Sequence, residues 1–323
     1  MDQRKLTHTD LCVSRLCLGT MTFGSQVSES DCVRMLSAAL DAGVSFVDTA
    51  NVYNDGLSEE IVGRSLQGRR NNVILASKGF GAMGDPVEYQ GLSRQSLTRA
   101  LEESLRRLGT DYLDLYYLHQ PDYDTPIEET LETLEGFRKA GKIRYAGVSN
   151  FASWQIAEAF SHCEKQGWQV PAVSQPMYNL LARGIEQEYT KFAKKYGVSL
   201  VVYNPLAGGL LTGKQSLQSG PAAGTRFDGN QRYLDRYWHA GYFQAVESLK
   251  ALSAQCGRPL LEIAFRWLLD QDQVDSVILG ASKIEHLQAN IAAAQTSPLS
   301  DDIRAECDRI WDELRGPAPT YCR

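Results

Sequence analysis

Four side chains suited to acid–base chemistry stand at the ends of three successive apolar runs. Asp48 and Tyr53 follow the run 44–47, Lys78 follows 73–76, and His119 follows 113–118. If these runs are parallel strands of one barrel, a carboxylate, a phenol, an ammonium and an imidazole converge at one end of it. A carbonyl that accepts hydride needs a proton on its oxygen. Tyrosine, with an intrinsic pKa of about 10, is a poor acid–base group near neutrality. A neighbouring lysine ammonium favours the tyrosinate and lowers that value. In this arrangement Asp48 keeps Lys78 charged and oriented, Lys78 tunes Tyr53, and His119 hydrogen-bonds the substrate oxygen and helps relay the proton. The set points to carbonyl reduction with a nicotinamide cofactor. Singly, each residue has a plainer reading: Asp48 as a helix cap or surface charge, Tyr53 as an amphipathic rim residue, His119 as a satisfied polar group. Their joint placement at strand ends carries the inference.

The elements that must position these groups follow from periodicity and capping residues. A short hairpin is expected over 6–13, with its polar turn at 8–10. Strands are expected at 16–18, 45–47, 73–77, 113–118, 145–148, 172–175, 199–203 and 274–279. Helices alternate with them at 28–42, 58–66, 93–108, 126–140, 153–166, 186–196, 242–255, 260–268 and 284–293. In the first helix Val33, Leu36, Ala39 and Leu40 recur at helical spacing and Gly43 lies just past the end. Ser58 reads as the cap of the second, and Pro126 sits in the first turn of the helix that ends before Gly141.

Eight βα units in one chain predict an α/β fold, a closed (β/α)8 TIM barrel with an N-terminal β-hairpin. An open doubly wound sheet would carry a glycine-rich fingerprint after its first strand. Gly19-Thr20-Met21-Thr22-Phe23-Gly24 is not that fingerprint. With no linker-like break in composition, residues 1–323 read as a single domain. Two parts fall outside the repeat. One is a long loop over 204–241, after strand seven; loops this long are usually lids or binding loops. The other is an extra C-terminal helix over 300–315, followed by a tail at 316–323.

Charged residues make up 22% of the 323-residue chain and the net charge is −6, which argues against non-specific nucleic-acid binding. No signal peptide is evident and no apolar run reaches roughly 18 residues, so a soluble, cytoplasmic protein with no membrane partner is expected. The seven cysteines (Cys12, Cys17, Cys32, Cys163, Cys256, Cys307 and Cys322) are odd in number, irregular in spacing and contain no C-x-x-C pair. They read as reduced thiols, with no metal site expected. The acidic run over 128–135 reads as a solvated helix face.

A set of ordered motifs makes the chain resemble the aldo-keto reductase family. They are Asp48-Thr49-Ala50-Asn51-Val52-Tyr53, Ser58-Glu59-Glu60, Ala76-Ser77-Lys78, Leu118-His119-Gln120-Pro121-Asp122, Gly147-Val148-Ser149-Asn150 and Leu279-Gly280-Ala281-Ser282. The resemblance runs in collinear order from Leu6 to Asn290. It implies a barrel that binds NADP(H) in extended form, with Tyr53, Asp48, Lys78 and His119 catalytic. By position, Thr20, Met21 and Gln26 would lie near the cofactor and Asp48 near its nicotinamide ribose. Ser149, Asn150 and Gln175 would hold the carboxamide, and Tyr203 would stack on the nicotinamide ring. The stretch Asn204-Pro205-Leu206-Ala207-Gly208-Gly209-Leu210-Leu211-Thr212-Gly213-Lys214 resembles the family's pyrophosphate loop; its glycines would let backbone N–H groups approach an anion. Arg226 would add a phosphate contact. Gly280, Ser282, Lys283, His286 and Asn290 correspond to the adenosine end.

His286 and Ala289 depart from the glutamine or arginine and the glutamate expected there, which leaves open the preference for NADP over NAD. Phe23, Tyr53 and His119 would face a small carbonyl substrate, with Met21, Phe80, Phe151 and Trp238 as further candidates for an apolar wall. Tyr233, Tyr237 and Trp238 could either fold over substrate or pack the long loop itself. Two other functions compete. Potassium-channel β subunits of the same family would make the chain an NADP-binding partner or redox sensor, although they carry asparagine where this chain has His119. A Schiff-base lyase would use Lys78 as nucleophile.

Overall fold

The computed structural model describes residues 1–80 and 90–317. Cys322 and most of the tail expected at 316–323 lie outside the described residues. Eight parallel strands close into a barrel: β3 (Leu16–Gly19), β4 (Phe46–Asp48), β5 (Ile74–Gly79), β6 (Leu113–Leu118), β7 (Ile143–Ser149), β8 (Val173–Gln175), β9 (Ser199–Val202) and β10 (Val274–Leu279). They pair in chain order, and β10 returns to β3 with Val277 opposite Leu16.

The remaining strands, β1 (Gln3–Lys5) and β2 (Cys12–Ser14), form an antiparallel hairpin. Leu6, Leu11 and Val13 pack with the interior residues Cys17, Phe46, Leu115, Tyr117 and Val201. The Ser14 hydroxyl accepts from Ser45 N at 3.0 Å, and the Ser199 hydroxyl accepts from Thr7 N at 2.8 Å. The hairpin therefore closes the end at which the strands begin, and the other end is left for chemistry.

The outer layer contains α1 (Glu29–Asp41), α2 (Leu57–Ser65), α3 (Arg94–Leu108), α4 (Ile127–Lys139), α5 (Ser153–Gln166), α6 (Tyr189–Tyr196), α7 (Gln231–Tyr237), α8 (Ala240–Cys256), α9 (Leu260–Leu269), α10 (Ile284–Ala294) and α11 (Asp301–Arg315). Local signals account for many of the ends. The Ser28 and Ser93 side chains accept from the amides of Asp31 and Ser96 at the starts of α1 and α3. Gly109, Gly167 and Gly197 end α3, α5 and α6 in the left-handed region. The apolar faces bury residues such as Met35, Leu36, Leu97, Leu101, Ile156 and Phe160 against the outside of the barrel. No helix among the described residues is long and apolar enough to cross a membrane.

The structure differs from the periodic reading at several points. Ser58 does not cap α2; Gly56, at φ 82°, occupies that position, and the Ser58 hydroxyl turns inward to Thr20 and Thr49. The helix expected over 186–196 is split into a 3-10 turn at Gly184–Glu186 and α6. Glu186 is engaged there by Arg183 and by the Tyr178 hydroxyl. The segment expected as plain loop over 204–241 contains a 3-10 stretch, Ala207–Thr212, and α7. Within the acidic run of α4, Glu135 is buried rather than solvated, and it receives a bidentate pair of 2.7 Å bonds from Arg138. Finally, β4 and β5 run further than expected, which takes Asp48 and Lys78 into the strands themselves.

Candidate active site

Lys78 is fully buried near the end of β5, where an unpaired ammonium would be prohibitively costly. Its three donors are spent on Asp48 Oδ1, on the Thr49 carbonyl at 2.9 Å and on Tyr53 Oη at 3.1 Å. The second Asp48 oxygen accepts from Gln175 Nε2 at 2.9 Å, so both of its oxygens are satisfied across the barrel mouth. Tyr53 stands on the turn after β4. Asn54, Asp55 and Gly56 follow it with φ of 50°, 53° and 82°, a left-handed run that folds the chain back into α2. Asn54 secures this turn by donating to the carbonyls of Met21 at 3.0 Å and Phe23 at 2.7 Å. His119 follows β6, and its ring meets Tyr53 edge-on at 6.0 Å.

The electrostatics follow from burial and from the Lys78–Asp48 pair. Burial disfavours the Lys78 charge, but Asp48 and Tyr53 outweigh it and hold the ammonium above its ordinary range. Burial raises Asp48 against the opposing pull of Lys78 and Gln175. Tyr53 is also raised: burial is the largest influence and exceeds the lowering by Lys78. The sequence reading expects the lysine to win this contest, and in the structure it does not. His119 is pushed down to about 3, first by burial and then by the charges of Lys78 and Arg232, so its imidazole is neutral near pH 7.

Other candidates gather around this group. The Ser149 hydroxyl donates to the Gln175 carbonyl at 2.9 Å. Asn150, at φ 63°, donates to the His119 carbonyl at 3.0 Å and accepts from the Tyr203 hydroxyl at 2.8 Å. Thr20 is buried beneath the site and donates to the Asp48 carbonyl at 3.1 Å. Met21 is 41% exposed and Gln26 is exposed. Phe23 is fully buried and Phe151 nearly so; both pack into the core layer. Phe80 is half-buried against that layer. Trp238 packs on Phe227 and Phe243 at 5.0 and 4.9 Å, and Tyr237 is fully buried. Of the two readings open for the loop aromatics, internal packing accounts for these two.

The 204–214 loop is more self-contained than its glycines suggest. Ala207, Gly208 and Gly209 have φ of 49°, 70° and 109°, but their amides bond to Asn204 O, Asn204 Oδ1 and Leu206 O. Pro205 is buried and Leu206 half-buried. Lys214, Lys283 and His286 are exposed; burial and then the two lysines push His286 below its ordinary value, which puts the three basic groups within electrostatic reach of each other. The Ser282 hydroxyl lies 3.4 Å from His286 Nδ1, and Asn290 Nδ2 donates to the Gly280 carbonyl at 3.2 Å. Arg226 lies over the Tyr233 ring at 5.5 Å.

Three features are not evident from the motifs. Glu59 is fully buried and accepts from Ser77, the neighbour of Lys78 on β5, at 2.5 Å and from Arg107 at 2.7 Å. Arg232 and Arg236 bear electrostatically on Tyr203, and Arg232 on His119 as well. Asn179 and Tyr237 join the loops after β8 and β9. The sequence signals for them are the glutamate of Ser58-Glu59-Glu60 and a run of arginines and aromatics over 226–238 that includes the candidate Tyr237; Asn179 has no such signal.

Fold and site together define an α/β barrel with a buried acid–base cluster at the mouth where its strands end. The chain belongs to the aldo/keto reductase family, whose model matches residues 15–312. It is 36% identical to aflatoxin B1 aldehyde reductase member 2 of Mus musculus, over 95% of this chain and 87% of that protein. It is also 36% identical to a probable voltage-gated potassium channel subunit beta of Oryza sativa subsp. japonica, over 93% of each. Among solved structures, aldo-keto reductase AKR11C1 from Bacillus halodurans, in its holo form, superposes with a TM-score of 0.80 at 33% identity, covering 96% of each chain. By family, then, the chain is an oxidoreductase.

Proposed function

We propose that the chain, as a single barrel domain in the cytoplasm, uses NADP(H) to reduce aldehyde or ketone carbonyls of small molecules to alcohols, reversibly. The observation that carries this reading is the buried Lys78 ammonium, held between Asp48 and the Tyr53 hydroxyl at 3.1 Å. The Tyr53 proton goes to the carbonyl oxygen, and the tyrosinate left behind is stabilised by Lys78. Neutral His119 orients that oxygen by a hydrogen bond. The name of the mouse relative supports an aldehyde as substrate.

The donor set fits an extended dinucleotide. Hydroxyl and carboxamide groups (Ser149, Asn150 and Gln175) and the Tyr203 ring suit the nicotinamide end, with Thr20, Met21, Gln26 and Asp48 beside it. Asn204, Pro205, Leu206, Ala207 and Gly208 would line the pyrophosphate, with Arg226 adding a phosphate contact. Lys214, Lys283, His286 and Ser282, with Gly280 and Asn290, suit a phosphate-bearing adenosine end. When bound, the dinucleotide supplies the hydride.

Fluorescence titration with NADPH and NADH tests the cofactor: tighter NADPH is expected, and equal or tighter NADH would refute the preference. Tyr53→Phe tests the acid. It should lose about 10²–10⁴-fold in turnover while keeping cofactor affinity, because the phenol does not hold the dinucleotide. Near wild-type kcat would move the role to His119. The rice relative favours a second reading, an NADP-binding partner or redox-sensor subunit. Turnover of simple aldehydes separates the two.

A further inference from the structure

Tyr237 closes α7 and is fully buried. Its hydroxyl accepts from Asn204 Nδ2 at 2.7 Å and from Asn179 Nδ2 at 3.1 Å, and it lies 3.1 Å from Met177 Sδ, to which it donates. A phenol has one donor and two acceptor positions, so its capacity is filled. Burial holds the group above the ordinary tyrosine range, so it remains a neutral hydroxyl able to serve in both senses.

The partners come from separate loops. Met177 and Asn179 follow β8, and Asn204 follows β9. Asn204 has φ 65°, a left-handed conformation that asparagine visits more readily than other residues with a Cβ and that its surroundings can hold in place. Here they do. Its Oδ1 accepts from Gly208 N at 2.8 Å, and its carbonyl accepts from Ala207 N and Asn179 Nδ2, each at 3.0 Å. A Cβ on Gly208 would lie 2.9 Å from the Tyr233 ring and 3.0 Å from the Phe227 ring, both in the segment that carries Tyr237. The start of the 204–213 loop and the 227–237 segment are therefore one packed unit, joined at a hydroxyl.

We infer that Tyr237 is a positioning residue for the dinucleotide: its hydroxyl latches the α7 segment to Asn204 and holds the 204–213 loop in the shape that retains the cofactor. The inference rests on the reading above that this loop runs along the dinucleotide. Tyr237 acts through Asn204, directly and by way of Asn179, whose Nδ2 serves both the hydroxyl and the Asn204 carbonyl. Without the hydroxyl, two carboxamide donors lose their acceptor and the left-handed turn at Asn204 loses one of its restraints. The loop then opens more often and the dinucleotide leaves faster.

Stopped-flow fluorescence with NADPH tests this on the wild type, Tyr237→Phe, Asn204→Ala and the double variant. Tyr237→Phe removes one oxygen and keeps the ring. Its release rate is expected to rise at least about tenfold, with the association rate changing less than about threefold. The double variant should be no worse than the more affected single one, because both break the same link. An unchanged release rate in Tyr237→Phe overturns the latch, as does a double variant whose effect is the product of the two single ones. Should Tyr237→Phe fail to fold, an unchanged release rate in Asn204→Ala, half-buried in the wild type, overturns it equally. A purely structural role would lower the melting temperature and leave release unchanged. If the wild type binds neither NADPH nor NADH, the dinucleotide reading itself has failed.

Discussion

At Tyr53 burial and a neighbouring cation pull in opposite directions, and the outcome sets how the residue can work. Burial raises the phenol pKa more than Lys78 lowers it, so the hydroxyl keeps its proton through neutrality. That is the form a reductive acid needs. In the reductive direction kcat/KM should show no falling limb through neutrality, and any limb from ionisation of the phenol should lie on the alkaline side of the ordinary tyrosine range. A pH profile with a limb centred near 7 would assign the acid to another group. At His119 the folded pKa of about 3 lies below the ordinary 6.5. Between these values the unfolded chain binds the extra proton, so stability rises with pH, and this contribution is lost as pH falls from 6.5 toward 3. His119→Asn cannot take up that proton. Its urea midpoint should fall less steeply than the wild type's between pH 6.5 and 4, and parallel curves would show that His119 is solvated.

Two elements set the register of the proposed catalytic group. α2 follows the turn that carries Tyr53, and through Glu59 it binds Ser77, the neighbour of Lys78 on β5. The same carboxylate reaches Arg107 on α3. α2 and α3 approach closely at Gly63, where a Cβ would lie 2.6 Å from the Leu108 carbonyl oxygen. Backbone cannot yield as a flexible side chain can. Gly63→Ala should therefore push the helices apart and cost about 1–3 kcal/mol, measured by urea unfolding. Turnover should fall with it, since α2 carries the strain toward Tyr53. Unaltered stability would mean that α2 moves freely on α3 and does not set the register.

For the whole molecule, closure is the organising fact. β10 pairs β3, and the Arg15 guanidinium, just before β3, reaches the carbonyls of Val274 on β10 and Leu269 at the end of α9, tying the start of the barrel to its last strand and the helix before it. If the chain is the single domain proposed, a barrel joined in this way should unfold in one calorimetric transition. At NADPH concentrations about 100 times Kd, linkage adds about 2.7 kcal/mol, a rise in Tm of roughly 5 °C for a chain of this size. NADH at the same concentration should raise it less. Two separate transitions would divide the chain into domains, and an equal rise with both cofactors would remove the preference for NADP.

What the sequence determined was whatever depends on neighbours a few residues apart. The period of apolar residues and end signals such as Pro126 and Gly141 around α4 are local, and β6, α5 and β10 have the limits expected from that period. Tyr53, Lys78 and His119 were legible because each stands at or just past an apolar run, and eight such runs imply closure. The remainder was settled between distant residues. The Ser58 hydroxyl turned from a local cap to Thr20, 38 positions away. Gln175 found Asp48 across 127 positions and Tyr237 found Asn179 across 58. Glu135, in a run that reads as solvated, is buried by the elements around it. The Tyr53 shift also reversed direction because desolvation sums over every atom packed around the phenol. Spacing along a chain carries no measure of that sum, so only the closed barrel could decide it.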